Sequence, residues 1–182
     1  HKYQILSLAI VWAVVHSLLF WRFGVRNMFD SAVYVRGADF LIEHGRFGDF
    51  YHLFYAVYII LLALFRWVFT DQLLPFLVFQ CLVSGLAAVA LYRSGSTLFQ
   101  DSRAGFLSGM LYLVWWDNIH WNIAIMTESL FCSFTCFLVY FLVHFEGKRR
   151  QYYVIVFLMI FIFFIRPPGI VIILVTIGFL LQ

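Results

Sequence analysis

Residues 24–50 read GVRNMFDSAVYVRGADFLIEHGRFGDF, and the placement of this stretch decides the fold. It is the one long segment polar enough to live in water, and the runs on either side of it are apolar. From Ser31 the spacing predicts an amphipathic helix to His44, with Val33, Gly37, Phe40 and Leu41 on one face and Arg36, Asp39 and Glu43 on the other. Gly45 supplies the stop. Asp30 stands at the head of this helix. The stretch reads as a membrane-surface loop that presents a carboxylate at the boundary of water and lipid.

The chain has 182 residues, 64% of them hydrophobic, 21% aromatic and 12% charged. A soluble domain is about half apolar and about a quarter charged, so this chain cannot cover itself with water-compatible surface and is expected in a membrane. The net charge of +3 is small and its cations are scattered, which excludes nucleic acid as a partner. Cys81, Cys132 and Cys136 all lie in apolar runs and read as small buried hydrophobes. The sequence starts at His1 and stops at Gln182 beside an apolar run, and is expected to be a fragment of a longer protein.

Outward from the polar stretch the spans follow in order. Ile5 to Trp21 is a first crossing, Leu73 to Tyr92 a second rich in small residues, and Ala104 to Trp116 a third with Gly105 and Gly109 at packing spacing. Trp115 to Trp121 forms an aromatic, polar turn containing Asp117 and Asn118, of the kind found at headgroup level. Ser129 to Phe145, Tyr152 to Ile165 and Ile170 to Leu181 complete the set. Arg166-Pro167-Pro168-Gly169 breaks the last two apart, because paired prolines cannot continue a helix. The expectation is an all-α, polytopic membrane bundle whose long first loop, residues 24–72, carries surface helices and the acid.

The run from Phe50 to Phe69 is ambiguous. If it crosses, with the amino end outside, nine of the twelve cations fall inside, which suits the positive-inside rule and separates Asp30 from Glu128. If it re-enters, six cations face each side, and Asp30, the Asp117 to Thr127 turn and Arg166 share one face.

In their order, FDSAVYVRGADFLIEHG, the apolar run after it, IAIMTESLF and IRPPG resemble the GT-C class of membrane glycosyltransferases, which includes protein O-mannosyltransferases and the lipid A aminoarabinose transferase. The resemblance implies an enzyme that moves a sugar from a polyprenyl-phosphate donor to a hydroxyl of a glycan, lipid or protein acceptor, with inversion, on the outer or lumenal face. It implies a multi-pass protein of the bacterial plasma membrane or, alternatively, of the endoplasmic reticulum, in contact with membrane lipids. Where many members carry a second acid, Asp30 is followed by Ser31. The prolines usual before the second apolar run are replaced by YHLFYAVY, so His52 stands alone. A non-catalytic membrane subunit and a transporter segment are the alternatives from other classes.

Such chemistry needs a base for the acceptor proton and a cation for the departing phosphate. The resemblance makes Asp30 the base; the residue type and position alone favour a helix N-cap. Glu128, at the head of a span, would bind a divalent cation such as Mg or Mn or orient the acceptor, or else complement its helix dipole with Thr127 as cap. Arg166 would grip the phosphate or snorkel to the headgroups. His52 and Asp117 are further candidates for substrate contact. His44 and His120 are expected on the same face, and His16 as a hydrogen-bonder between helices.

Overall fold

The computed structural model describes residues 2–26, 28, 30–70 and 72–181. Among them the backbone is helical, with no strand beyond an isolated parallel bridge between Arg26 and Ala124. The order is α1 (Lys2–Phe23), α2 (Ser31–His44), α3 (Phe50–Leu53), α4 (Ala56–Val68), α5 (Leu74–Phe99), α6 (Ser102–Val114), α7 (Trp116–Asn122), α8 (Thr127–Val143), α9 (Arg149–Ile165) and α10 (Gly169–Leu180). α1 exposes Leu6, Ile10, Val14 and Leu18 at four-residue spacing, and α5 exposes Val78, Leu82 and Leu86. Outward faces as apolar as the inward ones are solvated by lipid. The chain is an all-α membrane protein. α1 and α5 are each long and apolar enough to cross outright, while α8 and α9 have 17 residues and α10 has 12.

Hydrogen bonds identify the two ends of the bundle. At one end Gln4 on α1 donates to the Ser102 carbonyl and accepts from Tyr92, Thr97 meets His144, and Gln151 donates to the His144 carbonyl. At the other end the chain leaving α1 bonds Ile123 through the Arg26 amide, and Gln80, early in α5, bonds Ala124. The segment between α1 and α5 therefore starts and finishes at the same end. α4 does not cross. It buries Tyr58, Ile59, Leu62 and Ala63, and Arg66 near its end pairs with Asp39 on α2 at 2.8 Å. The positive-inside rule favours the other arrangement, but it counts little over long loops, and hydrogen bonds to Ile123 and Ala124 hold both ends of this segment together.

α2 occupies the predicted residues, and Gly45 ends it in the left-handed conformation at φ 66°. Its buried face differs from the expected stripe. Ser31, Tyr34, Gly37 and Ala38 turn inward, since Tyr34 packs its ring edge-on against Tyr58, with centroids 5.1 Å apart. Asp39, expected in solvent, is drawn to Arg66.

α5 and α6 pack closest where side chains are smallest. A Cβ on Gly105 would collide with the Tyr92 carbonyl and the Ser96 hydroxyl, and one on Gly109 would lie 2.9 Å from the Ala88 carbonyl. Gly105→Val is expected to cost about 1–3 kcal/mol through overpacking, whereas at Gly178 an added methyl meets nothing within 4 Å and Gly178→Ala should be silent. Thermal unfolding in detergent separates the two, and equal stability of both variants would contradict the packing described.

Candidate functional site

Between α7 and α8 the chain leaves the helical path at residues 123–126, yet Ile123, Ala124 and Ile125 are fully buried. Buried backbone outside a helix needs partners for its polar groups, most of all in a membrane protein. They come from elsewhere in the chain. The Ile123 carbonyl accepts from the Arg26 amide at 3.0 Å, the Ala124 carbonyl from Gln80 Nε2 at 3.0 Å, and the Ile125 carbonyl from Ser31 Oγ at 3.1 Å. Ser31 Oγ also accepts from the Met28 amide at 2.8 Å. The residue that stands in place of a second acid is thus the anchor that docks the first loop.

Behind this strip Asn122 ties three helices. Its Nδ2 lies 3.0 Å from Ser84 Oγ and 3.0 Å from His16 Nε2, and its Oδ1 accepts from Ser129 Oγ at 2.6 Å. His16 does join helices as expected, its other nitrogen meeting the Trp12 carbonyl at 2.8 Å. A transporter would turn such a group toward a cavity; here it is held in a closed set of hydrogen bonds.

In front of the strip lies Glu128, 8% exposed, in the first turn of α8, where the free amides favour a negative charge. Its Oε2 accepts from Thr127 Oγ1 at 3.2 Å, and its Oε1 pairs with Arg166 Nη2 at 3.1 Å. Arg166 follows the last residue of α9, where the prolines force extended backbone and release the side chain toward α8. Its side chain remains 35% exposed, and four of its five N–H donors remain beyond the one that this contact uses.

Two tyrosines complete the wall. Tyr34, on the buried face of α2, is hydrogen-bonded to Thr127 and feels the charge of Asp30. Tyr55, before α4, feels both Arg166 and Asp30. Burial, and then the hydroxyl of Tyr51, pushes the Tyr55 phenol up to about 12, and burial raises that of Tyr34 further. Both stay protonated at neutral pH and can donate hydrogen bonds.

Asp30 occupies the N-cap position of α2 but does not act as a side-chain cap. Its backbone is helical, at φ −82° and ψ −14°, and its carboxylate bonds no helix amide, although its carbonyl accepts from Val33 and Tyr34. The side chain is exposed at the mouth, and its charge reaches Tyr34 and Tyr55. The cap alternative therefore fails on geometry.

The other candidates lie apart from Glu128. His52 is buried on α3 against Gly37, where a Cβ would come within 3.2 Å of its ring. Asp117 is exposed in the first turn of α7, part of a helix and not of a plain turn, and among the described residues nothing bonds it to Asp30 or Glu128. His44 and His120 bond the carbonyls of Phe40 and Trp116 within their own helices. Among the described residues no three His, Cys, Asp or Glu side chains converge, and one Glu128 oxygen is paired with a guanidinium. The described residues alone do not assemble a donor set for Mg or Mn.

A protein-family model described as dolichyl-phosphate-mannose-protein mannosyltransferase matches residues 56–182. The match takes in Glu128 and Arg166 and begins after Asp30 and His52. No curated protein and no solved structure matches the chain.

Removing the anchor tests how the mouth is held. Ser31→Ala leaves the buried Ile125 carbonyl without its hydroxyl donor, a loss of about 1–3 kcal/mol. Amide exchange at Met28 should then quicken while α5 and α8 keep their protection. Unchanged exchange at Met28 would show that Ser31 does not dock the loop.

Proposed function

The chain belongs to the dolichyl-phosphate-mannose-protein mannosyltransferase family, a glycosyltransferase family of the GT-C type, and from that premise we propose that it transfers a sugar from a polyprenyl-phosphate carrier to an acceptor hydroxyl, with inversion. What supports this most is the meeting of Glu128 and Arg166 at 3.1 Å at the same end of the bundle as the exposed carboxylate of Asp30.

In this reading Asp30 takes the proton of the acceptor hydroxyl as its oxygen forms a bond to the anomeric carbon. The bond from that carbon to the phosphate oxygen breaks, and the electron pair leaves with the carrier phosphate. Phosphate needs no general acid, but it needs charge to receive it, and a guanidinium offers that in a fork matched to phosphate oxygens. Glu128 holds Arg166 in place through one N–H and leaves the others for the phosphate. Tyr55, within the field of both Asp30 and Arg166, lies where the sugar passes between base and leaving group. Attack from the Asp30 side and departure on the Arg166 side give inversion. The carrier's prenyl chain lies in the bilayer beside the helices, so an enzyme acting on a sugar can be built almost wholly of apolar spans. The non-cytoplasmic face of a bacterial plasma membrane is the setting proposed, and the secretory lumen would be its equivalent in a eukaryotic cell.

Asp30→Asn in the full-length protein should lower transfer by about 10²–10⁴-fold and leave the thermal transition in place; retained turnover would remove Asp30 from the role of base. Exchanging the partners, Glu128→Arg with Arg166→Glu, should recover folding lost in either single variant without recovering transfer, because the phosphate would then meet a carboxylate. Recovery of both would reduce the pair to a structural role.

A further inference from the structure

Next to the mouth lies a cavity of about 500 Å³ lined by Val33, Arg36, Phe40, Asp49, Tyr51 and His52, none of which serves the transfer step described above. Small-molecule sites fall in the range of about 300–1,000 Å³. The cavity runs along the helix that Asp30 heads. Along α2, Asp30, Val33, Gly37 and Phe40 recur at three- and four-residue spacing, which places them on one stripe of the helix. Val33 stands about 4.5 Å and Phe40 about 15 Å along the axis from Asp30. A second link runs through the tyrosines: the Tyr51 hydroxyl reaches that of Tyr55 at 3.4 Å, and Tyr55 feels both Asp30 and Arg166.

The lining selects among ligand classes. Arg36 and Asp49 bring one charge of each sign, so an anion drawn to the guanidinium also meets a carboxylate. An apolar side chain would strand both. A neutral ring bearing neighbouring hydroxyls answers each, accepting from Arg36 and donating to Asp49. The ring of Tyr51, half exposed, and that of Phe40, stacked on His44 with centroids 4.1 Å apart, present apolar walls to its C–H face. His52 Nδ1 is buried without a hydrogen-bond partner, an arrangement that costs about 1–3 kcal/mol. A small turn of the imidazole would offer it to a ligand hydroxyl.

We propose that this cavity is an acceptor subsite for neutral sugar units, and that the acceptor is an oligosaccharide whose terminal hydroxyl lies at Asp30 while the units behind it occupy the cavity toward Phe40. This rests on the transfer reaction proposed above and names its acceptor class.

Saturation-transfer NMR on the full-length protein in nanodiscs, against a panel of neutral hexose trisaccharides, reads the subsite without turnover. At least one trisaccharide should bind, and Arg36→Ala and Asp49→Asn, both at exposed positions, should each raise its Kd about tenfold or more, with helical circular dichroism unchanged. Asp30→Asn should keep that binding while losing transfer. Absence of binding across the panel, binding indifferent to both variants, or displacement by inorganic phosphate or by a serine-rich peptide would overturn the subsite. Transfer retained by Asp30→Asn would overturn the base and leave the binding result standing, so the two failures are distinguishable.

Discussion

The structure depends on a short piece of buried backbone that is not helical. In a membrane protein a helix satisfies its own amides and carbonyls; residues 123–126 do not, and their burial leaves carbonyls that must find donors. Arg26, Ser31 and Gln80 supply them. Once these bonds form, the first loop cannot lie elsewhere, α4 must return to the end from which the loop began, and Asp30 comes to the face where α8 starts. Asn122 fixes the strip from behind through His16, Ser84 and Ser129, so the same residues that close the helices against one another also hold the mouth.

The ion pair at that mouth is poised between structure and chemistry. A carboxylate as enclosed as Glu128 would be costly alone, and Arg166 together with the first turn of α8 compensates it. Arg166 is not enclosed to the same degree. A guanidinium oriented by one contact and open on its other side is suited to a second anion, and the break that places it there is dictated by Pro167 and Pro168.

Much of the fold was legible in the sequence because lipid imposes long apolar runs: α1, α5, α6, α8, α9 and α10 fall where those runs lie, and α2 begins at Ser31 and stops before Gly45 as its periodicity requires. The sides of the membrane were not legible by charge counting. The contacts that decide them join residues far apart in the chain, such as Ser31 and Ile125, and they use hydroxyls and backbone groups that carry no charge. For the same reason Glu128 and Arg166 could be named as candidates but not as partners. Tyr34 and Tyr55 were missed because aromatic residues at an interface look alike whether they face lipid or a site; Gln80, a lone amide in an apolar run, was the one signal that could have drawn attention to the strip. His52 read as a residue of the mouth, and the packing of α3 against Gly37 moves it to the neighbouring cavity.

The central claim is that the loop bearing Asp30 and the turn before Glu128 share one face. Side-specific labelling with an impermeant maleimide in intact membranes tests it, using single cysteines at the exposed positions Ala32, Asp117 and Gln100 in a background without Cys81, Cys132 and Cys136. Ala32→Cys and Asp117→Cys are predicted to label from one side and Gln100→Cys from the other. Labelling of Ala32→Cys and Asp117→Cys from opposite sides would contradict the fold at its mouth and separate Asp30 from the Glu128–Arg166 pair.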